Sequence, residues 1–336
     1  MATIHSTQRA AAMLGGGSWA TALVKVLNTN GVMVHWWMRD AGVAETLRRH
    51  HHNPRYLSAV QFDPQLIAPG THLEETIGSA DIIFLAIPSA FVAQVLNPLA
   101  PELFQNKTVV SAVKGMIPGR NMLMAEYLRS QLGVQEDCIV NISGPSHAEE
   151  VAMEKLTCLT LAARNEQNAS RIADLLRCAF IQCTLSDDLY GTEYSAVLKN
   201  IYAIAAGIYS GLDYGDNFLA VFLSNCIEEM ERFLRKVQPI TRDIKDAAYL
   251  GDLLVTAYSA FSRNRTLGTM LGRGYSVQNS LLQMNMVAEG YYASACIHAI
   301  NRQHQVPMPI ADATYDVLHG QAEARRVFGQ LSRMIC

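Results

Sequence analysis

Along the first half of the chain, short apolar and β-branched runs alternate with stretches whose apolar positions recur every three or four residues. The short runs predict strands at residues 10–14, 32–37, 81–87, 108–113, 139–142 and 157–161. A helix is predicted over 19–28, closed by Asn30-Gly31. The run 81–87 is almost continuously apolar, as in a strand covered on both faces. From about Glu193 turn residues thin out and helical periodicity takes over, at 217–237, 241–248, 277–300 and 310–319. The pattern therefore predicts an α/β N-terminal Rossmann-type doubly wound sheet followed by an all-α C-terminal domain. The break at Ser186-Asp-Asp188 and Gly191 divides the chain into residues 1–189 and 190–336. No long flexible linker separates them, so a cleft is expected between them.

Composition narrows the function. The 336 residues are half hydrophobic, enough for about two domains. A net charge of −3 supplies no global basic field for nucleic acid or an anionic membrane. An anionic substrate needs only a local positive pocket. The seven cysteines are odd in number and contain no Cys-x-x-Cys pair. They read as reduced thiols of a cytoplasmic protein, with no disulfide frame and no metal site. Cys336 is expected to be exposed. Residues 1–9 are polar and lack the apolar core of a signal peptide. The apolar stretch 80–100 is broken by Asp81, Pro88 and Asn97, so no membrane span is expected.

The first chemical signal is Gly15-Gly16-Gly17-Ser18-Trp19-Ala20, which fits Gly-x-Gly-x-x-Ala between a predicted strand and helix. Gly15 permits a tight turn, Gly17 lets a pyrophosphate approach the backbone, and Ala20 lets helix and strand pack closely. The helix N-terminus offers N–H donors to phosphate. After the second strand comes Arg39-Asp40. An acidic residue there can hold the ribose hydroxyl of NAD, and an arginine can hold the 2′-phosphate of NADP, so either cofactor is compatible.

The second signal is Lys199, set in the apolar helix Ser195–Gly207. A desolvated ammonium keeps its charge only with partners, and its pKa falls toward working pH, which suits proton transfer. The alternative is a lysine that snorkels into water. Four other segments belong with it. Lys114-Gly115 ends a predicted strand, where open α/β sheets bind ligands. Ser143-Gly144-Pro145-Ser146 ends another, with Ser146 a candidate helix N-cap. Asp252, among apolar residues, needs a cationic partner, and Lys199 is the obvious one. Ser262-Arg263-Asn264 offers a guanidinium fork for phosphate and two groups for hydroxyls.

Taken together these segments resemble the bacterial-type NAD(P)-dependent glycerol-3-phosphate dehydrogenases. The resemblance rests on Gly15–Ala22, Val113–Gly115, Ser143–Ser146, Val197–Asn200, Gly251–Leu253, Ser262–Asn264 and Glu289-Gly290, in that order along the chain. It implies reversible reduction of dihydroxyacetone phosphate to sn-glycerol 3-phosphate with NAD(P)H, a step that supplies phospholipid synthesis. It implies that Lys199 transfers the proton, and that Lys114, Gly144, Ser146, Asp252, Ser262, Arg263 and Asn264 touch substrate. It assigns cofactor contacts to Ser18, Trp19, Arg39, Lys114, Ala148, Arg263, Val287 and Glu289, with Tyr56 bordering them. The chain departs from the family in having Ala20 where many members have glycine, and in lacking a cysteine after Thr256. The run Arg48–His52 has no counterpart in the family; serial histidines ordinarily face water. Two other readings stay open. One is a two-domain β-hydroxyacid or ketopantoate-type dehydrogenase. The other is a non-catalytic NAD-binding sensor, which would not need Lys199, Asp252 and Arg263 together. A homodimer through the helical half is also open.

Overall fold

The computed structural model describes residues 9–284 and 287–335; the polar N-terminus up to residue 8 and Cys336 lie outside them. Eight strands form one sheet: β1 (Ala10–Leu14), β2 (Met33–Trp37), β3 (Ile67–Gly70), β4 (Ile82–Leu85), β5 (Thr108–Ser111), β6 (Ile139–Ser143), β7 (Thr157–Ala162) and β8 (Ile181–Ser186). Their order is β3-β2-β1-β4-β5-β6-β7-β8. Pairing is parallel except between β6 and β7. The chain reverses direction across the sheet between β1 and β4, and the carboxyl ends of these strands open there. In doubly wound sheets this switch point is where ligands bind.

The connecting helices are α1 (Ser18–Thr29), α2 (Ala41–His50), α3 (Leu73–Gly78), α4 (Ser89–Leu96), α5 (Met124–Leu132), α6 (Ala148–Ala152) and α7 (Glu166–Leu176). Side chains of α1 and α7 fill the core on one face. On the other face, α4 and α5 share a core with α8 (Leu189–Gly211), so the sheet and the helical half are continuous in packing. The helical half continues with α9 (Asp216–Val237), α10 (Asp252–Tyr258), α11 (Arg263–Gly272), α12 (Val277–Gln283), α13 (Glu289–His304), α14 (Pro309–Leu318) and α15 (Ala324–Ile335).

Helix α8 is its axis and is buried from Leu189 to Tyr209. It lies almost in backbone contact with α11. A Cβ on Gly268 would fall 1.9 Å from the Ile204 carbonyl, and one on Gly207 2.2 Å from that of Arg265. Gly211 and Gly272 are as crowded. This approach sets the start of α11 beside the middle of α8.

Four expectations are corrected. Strands β3 and β8 escape the hydrophobic pattern because they are edge strands. Pro69 and Gly70 are tolerated in β3 for that reason, and β8 is largely exposed. Residues 241–246 are not helical. Asp243 accepts from Lys245 N and closes a turn, and a π-helical turn (Ala247–Gly251) follows and leads into α10. The stretch 277–300 is two helices, because Met284 and Ala288 are extended. Ser146 does not cap α6; the position before that helix is His147.

Candidate active site

At the end of β1, Gly15 has φ +133°, and a Cβ there would lie 2.4 Å from the Ala86 carbonyl at the end of β4. Only glycine fits this turn. The Trp36 indole donates to the Gly15 carbonyl at 2.7 Å, and the fully buried Asn53 amide donates to Gly16 O and to Thr21 Oγ1. Gly17 precedes α1 and no side chain caps the helix. A Cβ on Gly17 would meet nothing within 4 Å, so the uncapped amides of α1 face open space. The indole nitrogen of Trp19, in the first turn, is buried and unpartnered. Both features fit a dinucleotide pyrophosphate.

After β2, at one end of the cleft, Asp40 is already engaged. One carboxylate oxygen accepts Gly42 N and Val43 N and so caps α2; the other pairs with Arg55 at 2.5 Å. Arg39 is exposed and lines the same end of the cleft with Arg55 and Tyr56. His51, φ +58°, terminates α2, and among the described residues no cluster of three or more metal-binding side chains forms.

At the other end, Lys199 is 3% exposed and pairs with Asp252, 1% exposed. Burial pulls the Lys199 pKa down to about 7; Asp252 opposes this and the Lys114 charge adds to it. Lys114 donates to Ser146 Oγ at 2.9 Å and to the Gly144 carbonyl at 3.2 Å, and stands 3.8 Å from the second oxygen of Asp252. That oxygen is buried and accepts no hydrogen bond. His147, behind both lysines, is driven down to about 4 by burial and by their charges, so it is neutral.

Amide side chains tie these elements together. Asn200 donates to the Lys114 carbonyl at 2.8 Å, Asn264 donates to Asn200 at 2.8 Å, and Asn264 accepts from Gly290 N at 3.0 Å. Ser262 caps α11 through Arg265 N, and Arg263 reaches the Val287 carbonyl at 3.4 Å. Glu289 accepts from the Ser89 amide and hydroxyl across the cleft; burial raises its pKa against those bonds.

One cleft of about 650 Å³ joins the two ends. It is lined by Gly15, Gly17, Ser18, Trp19, Arg39, Tyr56, Lys114, Ser146, Ala148 and Lys199. Asp252, Ser262, Arg263, Asn264, Val287 and Glu289 complete the wall. Gly144 stands behind it, φ +97°, as the carbonyl that steadies Lys114.

Residues 10–169 match the NAD-dependent glycerol-3-phosphate dehydrogenase N-terminus and residues 188–329 the C-terminus of the same family. The chain belongs to the NAD-dependent glycerol-3-phosphate dehydrogenase family. It is 34% identical over 322 residues to a protein of Syntrophomonas wolfei named glycerol-3-phosphate dehydrogenase [NAD(P)+], covering 96% of this chain and 94% of that one. A solved glycerol-3-phosphate dehydrogenase from Coxiella burnetii superposes with a TM-score of 0.90 at 28% identity, covering 96% of this chain and 98% of that one. A ketopantoate reductase of Ralstonia eutropha shares the fold at a TM-score of 0.60 and 15% identity, over 96% of this chain and 99% of that one. Arg55, His147 and Asn200 also line the cleft, and Asn53 supports the glycine turn from behind it, though the sequence assigned none of them a role. Asn200 closes the Val197–Asn200 segment on which the resemblance rests, and its place directly after Lys199 was the signal that could have given it a role.

Proposed function

We propose that this protein is an NAD(P)-dependent glycerol-3-phosphate dehydrogenase that interconverts dihydroxyacetone phosphate and sn-glycerol 3-phosphate, with Lys199 as proton donor and acceptor. The observation that carries the reading is the buried Lys199–Asp252 pair beside Lys114, with one Asp252 oxygen left without a donor. A substrate hydroxyl supplies that donor. The dinucleotide, NAD or NADP, supplies the hydride when bound. The α1 amides, Arg39 and Tyr56 would hold it, and its acceptance fits the open space at Gly17.

The rest of the chemistry belongs to this chain. Arg263 presents a planar fork to the phosphate. As negative charge develops on the ketone oxygen, Lys199 donates a proton and Lys114 stabilises the remaining charge. In the reverse direction neutral Lys199 accepts the hydroxyl proton, and a pKa near 7 makes both forms available at neutral pH. The substrate-facing helices would form a domain of residues 190–336, with residues 1–189 holding the dinucleotide. The free thiols among the described residues suit a cytoplasmic enzyme. The exposed apolar side chains of Tyr275, Leu282 and Met334 offer surface for a homodimer.

The test follows absorbance at 340 nm with dihydroxyacetone phosphate and each reduced dinucleotide, for the protein and for Lys199→Ala. Turnover by the protein and a loss of about 10² to 10⁴-fold in the variant are expected. Near-normal turnover by the variant overturns the role of Lys199. Absence of turnover with both dinucleotides overturns the activity.

A further inference from the structure

Asp188, the N-cap of α8, and Ser195 and Lys199 along the helix are spaced seven and four residues apart, as on one helix face, and all three meet the segment 247–252. Gly191 N donates to Asp188 Oδ1 at 2.9 Å, and the Tyr249 hydroxyl donates to Asp188 Oδ2 at 2.7 Å. Two turns on, Ser195 Oγ donates to the Ala248 carbonyl at 3.0 Å. One turn further, Lys199 meets Asp252. Asp188 also binds Arg242 Nε at 2.6 Å, and Arg242 in turn donates to the Gln238 carbonyl at 2.8 Å. A single buried carboxylate thus joins the start of α8, the end of α9 and the π-helical turn that delivers Asp252. The fit is tight: a Cβ on Gly191 would collide with Asp188 Oδ2 at 2.0 Å. Tyr249 lies inside the π-helical turn, whose extra residue per turn changes which side chains face α8. A buried ion pair is weak evidence for stability, and its best-attested use is fixing a register.

We propose that Asp188 and Tyr249 are positioning residues for the reaction: their hydrogen bond at the base of this ladder sets the register between α8 and the π-helical turn, and so holds Asp252 against Lys199. Neither residue touches the cleft. Lys199 is faced by Asp252 from α10, by Lys114 from the end of β5 and by His147 before α6. Only the segment bearing Asp252 is held by the ladder. Loosening it weakens the one attractive contact and leaves the repulsion from Lys114.

The inference rests on the reading of Lys199 as proton donor, and the test separates the two. Tyr249→Phe keeps the ring and removes the hydroxyl. Its kcat for dihydroxyacetone phosphate reduction is expected to fall about 10-fold to 100-fold, as for a misplacement on the ångström scale. The KM for the dinucleotide stays within about two-fold, since neither Asp188 nor Tyr249 lines the cleft. The alkaline fall of kcat moves to lower pH. Ser195→Ala, one rung up, moves it the same way and serves as the readout if Tyr249→Phe does not fold. A lowered melting temperature with kcat and its pH limb unchanged in the folded variants overturns the proposal. A wild-type limb that survives in Lys199→Ala overturns the proton-donor reading and leaves the ladder without a catalytic role.

Discussion

Replacing Asp252 by Asn removes the charge that keeps Lys199 protonated and nearly preserves the shape. Two unit charges about 3 Å apart at an effective dielectric constant of about 20 attract by about 5 kcal/mol, or nearly 4 pKa units. Measured effects of one close counter-charge run at about 1 to 3 units, so a fall of about 2 is taken. The direction follows from the sign: Asp252 raises the Lys199 pKa, and its loss lowers it from about 7 to about 5. At pH 7 the protonated fraction then drops from about one half to about 1%. Reduction of dihydroxyacetone phosphate therefore slows about 50-fold from protonation alone. At pH 5 the same deficit shrinks to about two-fold. Oxidation of glycerol 3-phosphate needs the neutral amine, so its rate at pH 7 suffers no protonation loss. The assay is saturating initial rates at 340 nm in both directions, from pH 5 to 9 at constant ionic strength. A deficit equal at pH 5 and pH 7, or equal in the two directions, refutes the electrostatic account of Asp252.

Other outcomes follow from the same geometry. Arg263→Ala should raise the KM for dihydroxyacetone phosphate about 10-fold to 100-fold, the worth of charged hydrogen bonds; unphosphorylated dihydroxyacetone should show no such change, and equal losses for both would remove Arg263 from the phosphate site. Gly268→Ala forces a methyl to within 1.9 Å of the Ile204 carbonyl and should cost about 1 to 3 kcal/mol. Its melting temperature should drop and its substrate KM should rise, because the start of α11 moves; an unchanged melting temperature would contradict the backbone contact. Glu193, buried on α8, accepts Ala125 N at the start of α5, and burial pushes its pKa up to about 8. The unfolded chain then releases a proton that the folded one keeps, so stability falls as pH rises from about 4.5 to about 8. Glu193→Gln should flatten that slope in denaturant titrations; an unaltered slope would show that Glu193 is not its source.

Much of this was legible in the chain because the physics was local. The glycine turn, the continuous apolar run of β4 and the wholly buried α8 each announce themselves within one window of residues. Lys199 and Asp252 stood out because charge among apolar neighbours demands a partner. What stayed hidden depends on neighbours distant in sequence. Asn53 and Asn200 carry no charge and no period, yet their amides bridge elements that only the fold brings together, and the amide of Asn264, expected at a substrate hydroxyl, is bound to Asn200 and Gly290. Ser146 has the composition of a cap, but its hydroxyl donates to the Gly144 carbonyl and receives Lys114. The π-helical turn reads as ordinary helix because its residues are good helix formers. The paired glycines at 207 and 211 and at 268 and 272 were visible at four-residue spacing; the partner each pair packs against was not.

The site also resolves a tension in the composition. The chain as a whole is acidic, while the reading asks it to hold a phosphate ester. Around the cleft the balance is reversed: Arg39, Arg55, Lys114, Lys199 and Arg263 line it against Asp40, Glu149, Asp252 and Glu289, and Lys114 and Lys199 share Asp252. Of these carboxylates Glu289 is buried and pushed toward its neutral form while bound to Ser89. Burial lowers the dielectric response, so these few charges act more strongly than the more numerous exposed ones, which solvent screens. Burial pulls Lys199 toward neutrality and the Lys114 charge adds to it; that same Lys114 charge, with Arg263, attracts an anionic substrate. A bound phosphate would in turn raise the Lys199 pKa and favour the ammonium. Substrate binding and proton supply are therefore coupled through one small set of charges. The alkaline limb of kcat, measured on the substrate complex, should lie above that of kcat/KM, which reports the free enzyme. Coincident limbs would mean that the phosphate sits too far from Lys199 to be felt, and that Arg263 alone answers its charge.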